Sequence, residues 1–313
     1  MIRALAKQRN SGWRKLIGFL WSWVLPLAIF LVIGLKFTSH GENLSMLNSV
    51  ELVNIVGVIF CLLLLPLNVG LEAWKWQSIL KPMEQQPIWS CLKIILAGKG
   101  LNVVSPFGLG DGLSRYMGLN QANKNQIIAG LAIDRFSQLL PTVGFGMLSV
   151  FFLLEHGLNI PMNELLLVFI IMFSIAVFVV LGFYFFRNHI QKYLALFSLL
   201  NNQSIFRIGS LSFVRYSVFT IQFYLIFWAL GSQLSLSITL LGVAWIFLFK
   251  TLIPNMSVLG DLMKREISAT LFFSFFISDL SVVIMASFLV WMINIVLPAL
   301  VGVLFVSDLK KSF

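Results

Sequence analysis

Gly110-Asp111-Gly112-Leu113-Ser114-Arg115 stands a few residues after Pro106, and Gly260-Asp261-Leu262-Met263-Lys264-Arg265 repeats its frame after Pro254. Both read Gly-Asp-x-x-x-Arg, and 150 residues separate Asp111 from Asp261. Between position 100 and the C-terminal tail the only aspartates are Asp111, Asp134, Asp261 and Asp279. Two of them sharing a preceding Gly and a following Arg is a pairing that chance rarely supplies. Each frame interrupts an otherwise apolar stretch, about 90–120 and about 238–277, with Gly, Pro and charge.

The rest of the chain sets the context for these breaks. Of 313 residues, 59% are hydrophobic and 11% charged, with a mean hydropathy of +0.93. An ordinary soluble domain is about 45–50% apolar and about 25% charged. A soluble core, a disordered tail protein and a secreted disulfide scaffold are therefore excluded. A membrane-crossing helix needs ~20 apolar residues. Continuous runs at about 16–35, 51–71, 126–153, 164–186, 213–231 and 279–306 supply about six full spans. The expectation is an all-α polytopic membrane protein forming a single integral membrane domain. The first run, behind Arg3, Lys7, Arg9, Arg14 and Lys15, is too long for a signal peptide and reads as a signal anchor.

The net charge of +10 is a topology signal and not a nucleic-acid footprint. The segments 1–15, 71–93, 187–215 and the tail hold fourteen Lys and Arg, among them Lys75, Lys81, Lys93, Arg207 and Arg215. The alternate segments 36–49, 154–163 and 231–237 hold only Lys36. By the positive-inside rule both termini face the cytoplasm of a cell (inner or plasma) membrane, so the spans are even in number. The interrupted segments must then enter and leave on one side, as re-entrant half-helix hairpins shielded by protein or water. They enter from opposite faces. Span one begins near 16 and span four near 164, an offset close to that of the two aspartates. Repeat 1 (about 16–153) and repeat 2 (about 164–306) thus form an inverted-topology repeat, an architecture that transporters use to hold substrate between their halves.

The charges inside this apolar chain are the candidate site. Asp111–Arg115 and Asp261–Arg265 have the i,i+4 spacing of helical neighbours and neutralise one another in the simplest reading. The guanidinium fork also suits phosphate, and half-helix amides attract anions. Lys99, Arg115, Arg135, Lys264 and Arg265 together supply a basic lining, with Asp134-Arg135 set inside a span where a charge needs a partner. Asn102 and Asn255 flank the prolines and satisfy freed backbone groups. Cys61 and Cys91 lack any metal spacing and read as buried hydrophobes. Trp74, Trp76 and Trp89 read as interfacial anchors, and the Phe-rich stretch 272–276 as packing. Catalytic motifs such as HExxH, Walker A and G-x-S-x-G are missing, and no cofactor is implied.

Asn102 through Arg115, followed by Asp134-Arg135, resembles the transmembrane region of lysylphosphatidylglycerol synthases, a flippase-like family. Ile253-Pro254 through Arg265-Glu266 is similar to its second motif. Asp111 and Asp134 stand where that family usually has glutamate, and the second loop is poorer in glycine. The resemblance stops short of the family's soluble aminoacyl-transfer domain, the chain ending seven residues after Val306. It implies translocation of a polar-headed lipid, an anionic phospholipid or polyprenyl phosphate, between leaflets without synthase activity. The substrate-binding candidates are Lys99, Asn102, Asp111, Arg115, Asp134, Arg135, Asp261, Arg265 and Glu266. Expected partners are the membrane lipid, a second copy of the chain, or a lipid- or glycan-pathway enzyme. The rival expectations are a membrane enzyme using Asp111, Asp134, Asp261 and Glu266 as acid and base, and a non-catalytic accessory subunit.

Overall fold

The computed structural model describes residues 52–105, 108–119, 124–155, 200–253 and 258–309. Every regular element among them is helical: α1 Ile55–Leu80, α2 Ile88–Asn102, α3 Leu109–Met117, α4 Lys124–Glu155, α5 Asn202–Ala229, α6 Leu236–Leu252, α7 Val258–Phe273 and α8 Ser281–Leu309. Four of these, α1, most of α4, α5 and α8, are long and apolar enough to cross a membrane, and α6 is a shorter apolar helix. At ~1.5 Å per residue, the 26 residues of α1 reach about 39 Å, more than the ~30 Å of hydrocarbon. The expected spans 16–35 and 164–186, the three His, and Pro106, Pro254 and Asn255 lie outside the described residues.

Local chemistry sets the helix ends. Asn54, Asn201 and Ser235 cap α1, α5 and α6, each accepting from an N–H of the first turn. The α5 terminus closes through Gly231 at φ 68°, with Gly231 N–H donating to Trp228 O and Ser232 N–H to Phe227 O. This is the paired bonding that a left-handed residue after a helix permits. In α8 the break is internal. Pro298 has no N–H for the carbonyl of Asn294 and its ring crowds that carbonyl, and residues Met292–Val296 form a π turn in which Leu297 N–H reaches back to Met292 O.

Both interrupted segments are helix–break–helix units whose arms pack on each other, α2 on α3 and α6 on α7. Glycine makes the first unit tight. A Cβ on Gly98 would sit 3.0 Å from Asp111 Cα, and one on Gly110 would collide with the backbone of Leu101 and Asn102. Gly100 and Gly302 face each other where α2 crosses α8, so that a Cβ on Gly100 would lie 2.7 Å from Val303 N. Small residues are the usual means of bringing membrane helices together, because dispersion and not water exclusion holds them.

Two large cores hold most of the packing among the described residues. One gathers Phe223, Phe227, Phe272, Phe273 and Val243 around Val283, Ala286 and Val290 of the N-terminal half of α8. The other gathers Trp76, Ile79, Cys91, Ile95 and Ile133 from α1, α2 and α4. The C-terminal half of α8 packs on α2, with Leu309 against Ile94, Ala97 and Leu101. Cys61 and Cys91 are buried as expected, and Phe272 and Phe273 are core while Phe275 is exposed.

Two sequence expectations change. The segment 71–93 is not a loop, because α1 runs on to Leu80 and the connection to α2 spans only 81–87. Lys75 is therefore inside α1 and fully buried, and Arg215 lies within α5, so neither is a loop charge. Trp74 and Trp89 are exposed as interfacial anchors would be, but Trp76 is fully buried. We expect Gly302→Ala, whose Cβ would strike the Leu96 carbonyl, to destabilise the protein by about 1–3 kcal/mol. Gly144→Ala, where a Cβ meets nothing within 4 Å, should leave the melting temperature in detergent unchanged.

Candidate functional site

Asn68, Glu72, Lys75 and Trp76 fall on one stripe of α1 by their three- and four-residue spacing, and all are buried. Glu72 is the meeting point of three helices. Its Oε1 faces Arg115 Nη2 of α3 at 3.3 Å, and its Oε2 faces Lys99 Nζ of α2 at 2.9 Å and Arg215 Nη2 of α5 at 2.7 Å. Lys75 Nζ, one turn on, holds Asp134 Oδ1 of α4 at 2.9 Å and donates to the Asp134 carbonyl at 3.2 Å.

Arg115 joins all three carboxylates. Its Nε lies 3.2 Å from Asp111 Oδ1, its Nη1 3.2 Å from Asp134 Oδ2 and its Nη2 3.3 Å from Glu72 Oε1. The guanidinium also lies over the Trp76 ring, 4.5 Å from its centroid, a contact that gains strength once water is removed. Each nitrogen of the fork thus meets a different acid, and none of the side chain is exposed. Arg135 is the opposite case. It pairs with Asp111 Oδ2, yet its side chain is 65% exposed.

The start of α3 is built by the end of α2. Asn102 Oδ1 accepts from Asp111 N–H at 2.9 Å and Ser105 Oγ from Gly110 N–H at 2.8 Å, while Gly108 turns the chain at φ 68°. Asn102 therefore does what its place beside the proline suggests. Two amides that an anion could use at this helix start are already taken, which leaves the cationic side chains as anion ligands.

A second group sits on α6 and α7. Asp261 Oδ1 faces Lys250 Nζ at 3.0 Å and its Oδ2 faces Arg265 Nε at 2.9 Å. Lys264 Nζ donates to the Ile253 carbonyl at 2.9 Å. Arg265 is buried with no hydrogen-bond partner for Nη1 among the described residues, and Glu266 is half-buried. Lys99, Asn102, Asp111, Arg115, Asp134 and Arg135 are thus drawn together, while Asp261 and Arg265 form their own group. Glu72, Lys75 and Arg215 belong to the first group and were not among the sequence candidates. For Glu72 and Lys75 the signal was their three- and four-residue spacing from Asn68 at the end of an apolar run; Arg215 carried no such sign.

The first group holds five cations, Lys75, Lys99, Arg115, Arg135 and Arg215, against Glu72, Asp111 and Asp134. The surplus of positive charge can receive an anion. Membrane-length helices carrying such a buried ionic group define a multi-pass helical membrane protein. Over residues 15–309 the chain matches the family described as lysylphosphatidylglycerol synthase TM region, and it belongs to that family. No curated protein and no solved structure matches it.

Stability should separate the two arginines. Arg115→Ala would strand parts of three buried carboxylates, and breaking a buried pair from one side costs about 3–5 kcal/mol. We expect it to lower the melting temperature sharply, with Arg115→Lys a poor substitute because one ammonium cannot present three divergent donors. Arg135→Ala should shift it little, since exposed ion pairs contribute about 0–1 kcal/mol. Thermal unfolding in detergent followed by size-exclusion chromatography checks the order.

Proposed function

We propose that the chain translocates an anionic, polar-headed lipid between leaflets, with Arg135 and Lys99 meeting the headgroup and Arg115 holding the site in shape. The observation that carries this reading is the excess of cations over carboxylates in the first group. A charge held within hydrocarbon costs at least ~2.5–3.5 kcal/mol on insertion scales and marks a functional site unless it is paired. Here every cation has a carboxylate partner, but three acids are shared among five cations, an imbalance that a phosphate would redress. The membership in a family tied to lipid handling points the same way.

Arg135 is the natural first contact. It is exposed, it has one carboxylate partner, and its fork matches a phosphate's paired oxygens. Lys99, at the end of α2 with its side chain 18% exposed, adds a point charge beside it. The two helix–break–helix units, each with a Lys near the end of its first arm and Gly-Asp-x-x-x-Arg opening its second, support the reading as opposed re-entrant hairpins of an inverted repeat. In that arrangement six spans place both termini in the cytoplasm. Lys75, Lys93, Arg207 and Arg215 lie within helices, and the other ten cations of the fourteen still oppose Lys36.

Chemistry on the lipid is the weaker reading. An acid or base must present a carboxyl oxygen to substrate, and both oxygens of Glu72, Asp111, Asp134 and Asp261 are engaged by cations. The protein in this proposal moves lipid and does not transform it.

Reconstitution in vesicles carrying a fluorescent anionic phospholipid tests the proposal, with dithionite quenching to count lipid in each leaflet. Wild-type protein should speed exchange, and Arg135→Ala combined with Lys99→Ala should slow it at least tenfold, about 1.4 kcal/mol in barrier, with helix content unchanged. Exchange no faster than in protein-free vesicles, or a double variant as fast as wild type, would overturn it. A chemically altered lipid in the mass spectrum would favour the enzyme.

A further inference from the structure

A second buried polar chain leaves the ionic group and ends in the π turn of α8. Arg215 begins it. While Nη2 holds Glu72 at 2.7 Å, Nε donates to Asn68 Oδ1 at 3.0 Å. Asn68 Nδ2 in turn donates to Gln222 Oε1 at 3.3 Å and to Asn294 Oδ1 at 3.4 Å. Gln222 Nε2 donates to the Cys61 carbonyl at 3.0 Å, and Asn294 Nδ2 to the Val290 carbonyl at 3.2 Å. Asn68, Gln222 and Asn294 are all buried, on helices whose neighbouring positions are mostly Leu, Val, Ile and Phe.

Packing alone does not ask for three carboxamides there. Apolar residues of similar volume would fill the space without needing partners, and a hydrogen bond between membrane helices adds little net stability. The chain does provide a physical link between two places that can change. One is Glu72, whose Oε2 shares its cations Lys99 and Arg215 with any incoming anion. The other is Met292–Val296, whose π bonding Pro298 has already loosened. Arg215 and Asn68 are the residues between them.

We infer that Arg215 is a positioning residue that couples occupancy of the anion site to the π turn of α8 through Asn68 and Asn294. This rests on the proposed function, since it needs a phosphate-bearing headgroup to compete with Glu72 for Arg215. As Nη2 turns to the phosphate, Nε leaves Asn68, Asn68 releases Asn294, and the Asn294 side chain no longer holds the helix at Val290. The turn then passes between π and α bonding, and the two halves of α8 shift relative to each other.

Spin labels on cysteines replacing the exposed Ser278, just before α8, and Ser307, in its last turn, read that shift once Cys61 and Cys91 are changed to Ala. The protein is placed in nanodiscs of phosphatidylcholine with and without phosphatidylglycerol, and native mass spectrometry follows the lipid retained. With phosphatidylglycerol the label distance should change by at least ~1.5 Å, the rise of the one residue that a π turn adds. Asn294→Leu should keep the lipid and lose the change. Arg215→Lys, which retains the charge but not the second donor aimed at Asn68, should also lose the change. Retained lipid with an unmoved distance in the wild-type frame overturns the coupling alone, as does a change that survives Asn294→Leu. Failure to retain any phosphatidylglycerol overturns the functional reading and the coupling with it.

Discussion

A charge carried into an apolar bundle must find its opposite there, and Arg115 is where this chain meets that demand. Its three guanidinium nitrogens reach acids on α1, α3 and α4, and Glu72 then draws in Lys99 of α2 and Arg215 of α5. Five helices converge because of one planar fork and the carboxylates around it. The tight glycine packing of α2 on α3 follows from the same need. Unless Gly98 and Gly110 let the two backbones touch, the i,i+4 pair of Asp111 and Arg115 could not be carried close enough to Glu72 and Asp134.

This arrangement divides the arginines by role in a way that residue type alone does not. Arg115 is spent on carboxylates and has nothing left for a ligand, whereas Arg135, its neighbour through Asp111, stands exposed. Asn102 and Ser105 likewise satisfy amides that seemed free in the bare motif. The anion-receiving capacity therefore rests on side chains at the edge of the group.

The membrane character, the helix–break–helix units and the Asp–Arg pairs were legible in the sequence, because apolar run length and i,i+4 spacing are local properties. The partners Glu72, Lys75 and Arg215 were not. Each lies at the edge of an apolar run, Glu72 and Lys75 past the end of one and Arg215 at the start of another, where a charge reads as part of the adjoining loop. Long-range pairing keeps those residues helical and buried, and such pairing leaves no trace in the immediate neighbours. Only the spacing of Asn68, Glu72 and Lys75 hinted that the helix continued. Trp76 was misread for the same reason, since an aromatic near a run's end looks like an anchor until a guanidinium is found lying on it. The run 279–306 was read as an unbroken span, and neither the π turn before Pro298 nor the tie of Asn294 across the bundle to α1 was foreseen.

The facing glycines at 100 and 302 have a mechanical meaning. With no side chain between them, α2 and the C-terminal half of α8 act as one strut, while the N-terminal half of α8 is bedded among the aromatic rings of α5 and α7. The π turn lies between these attachments like the fulcrum of a lever. A small angular change there would be magnified along the strut and delivered at its far arm, the first half of α2, where Lys93 pairs with Asp308 near the end of α8.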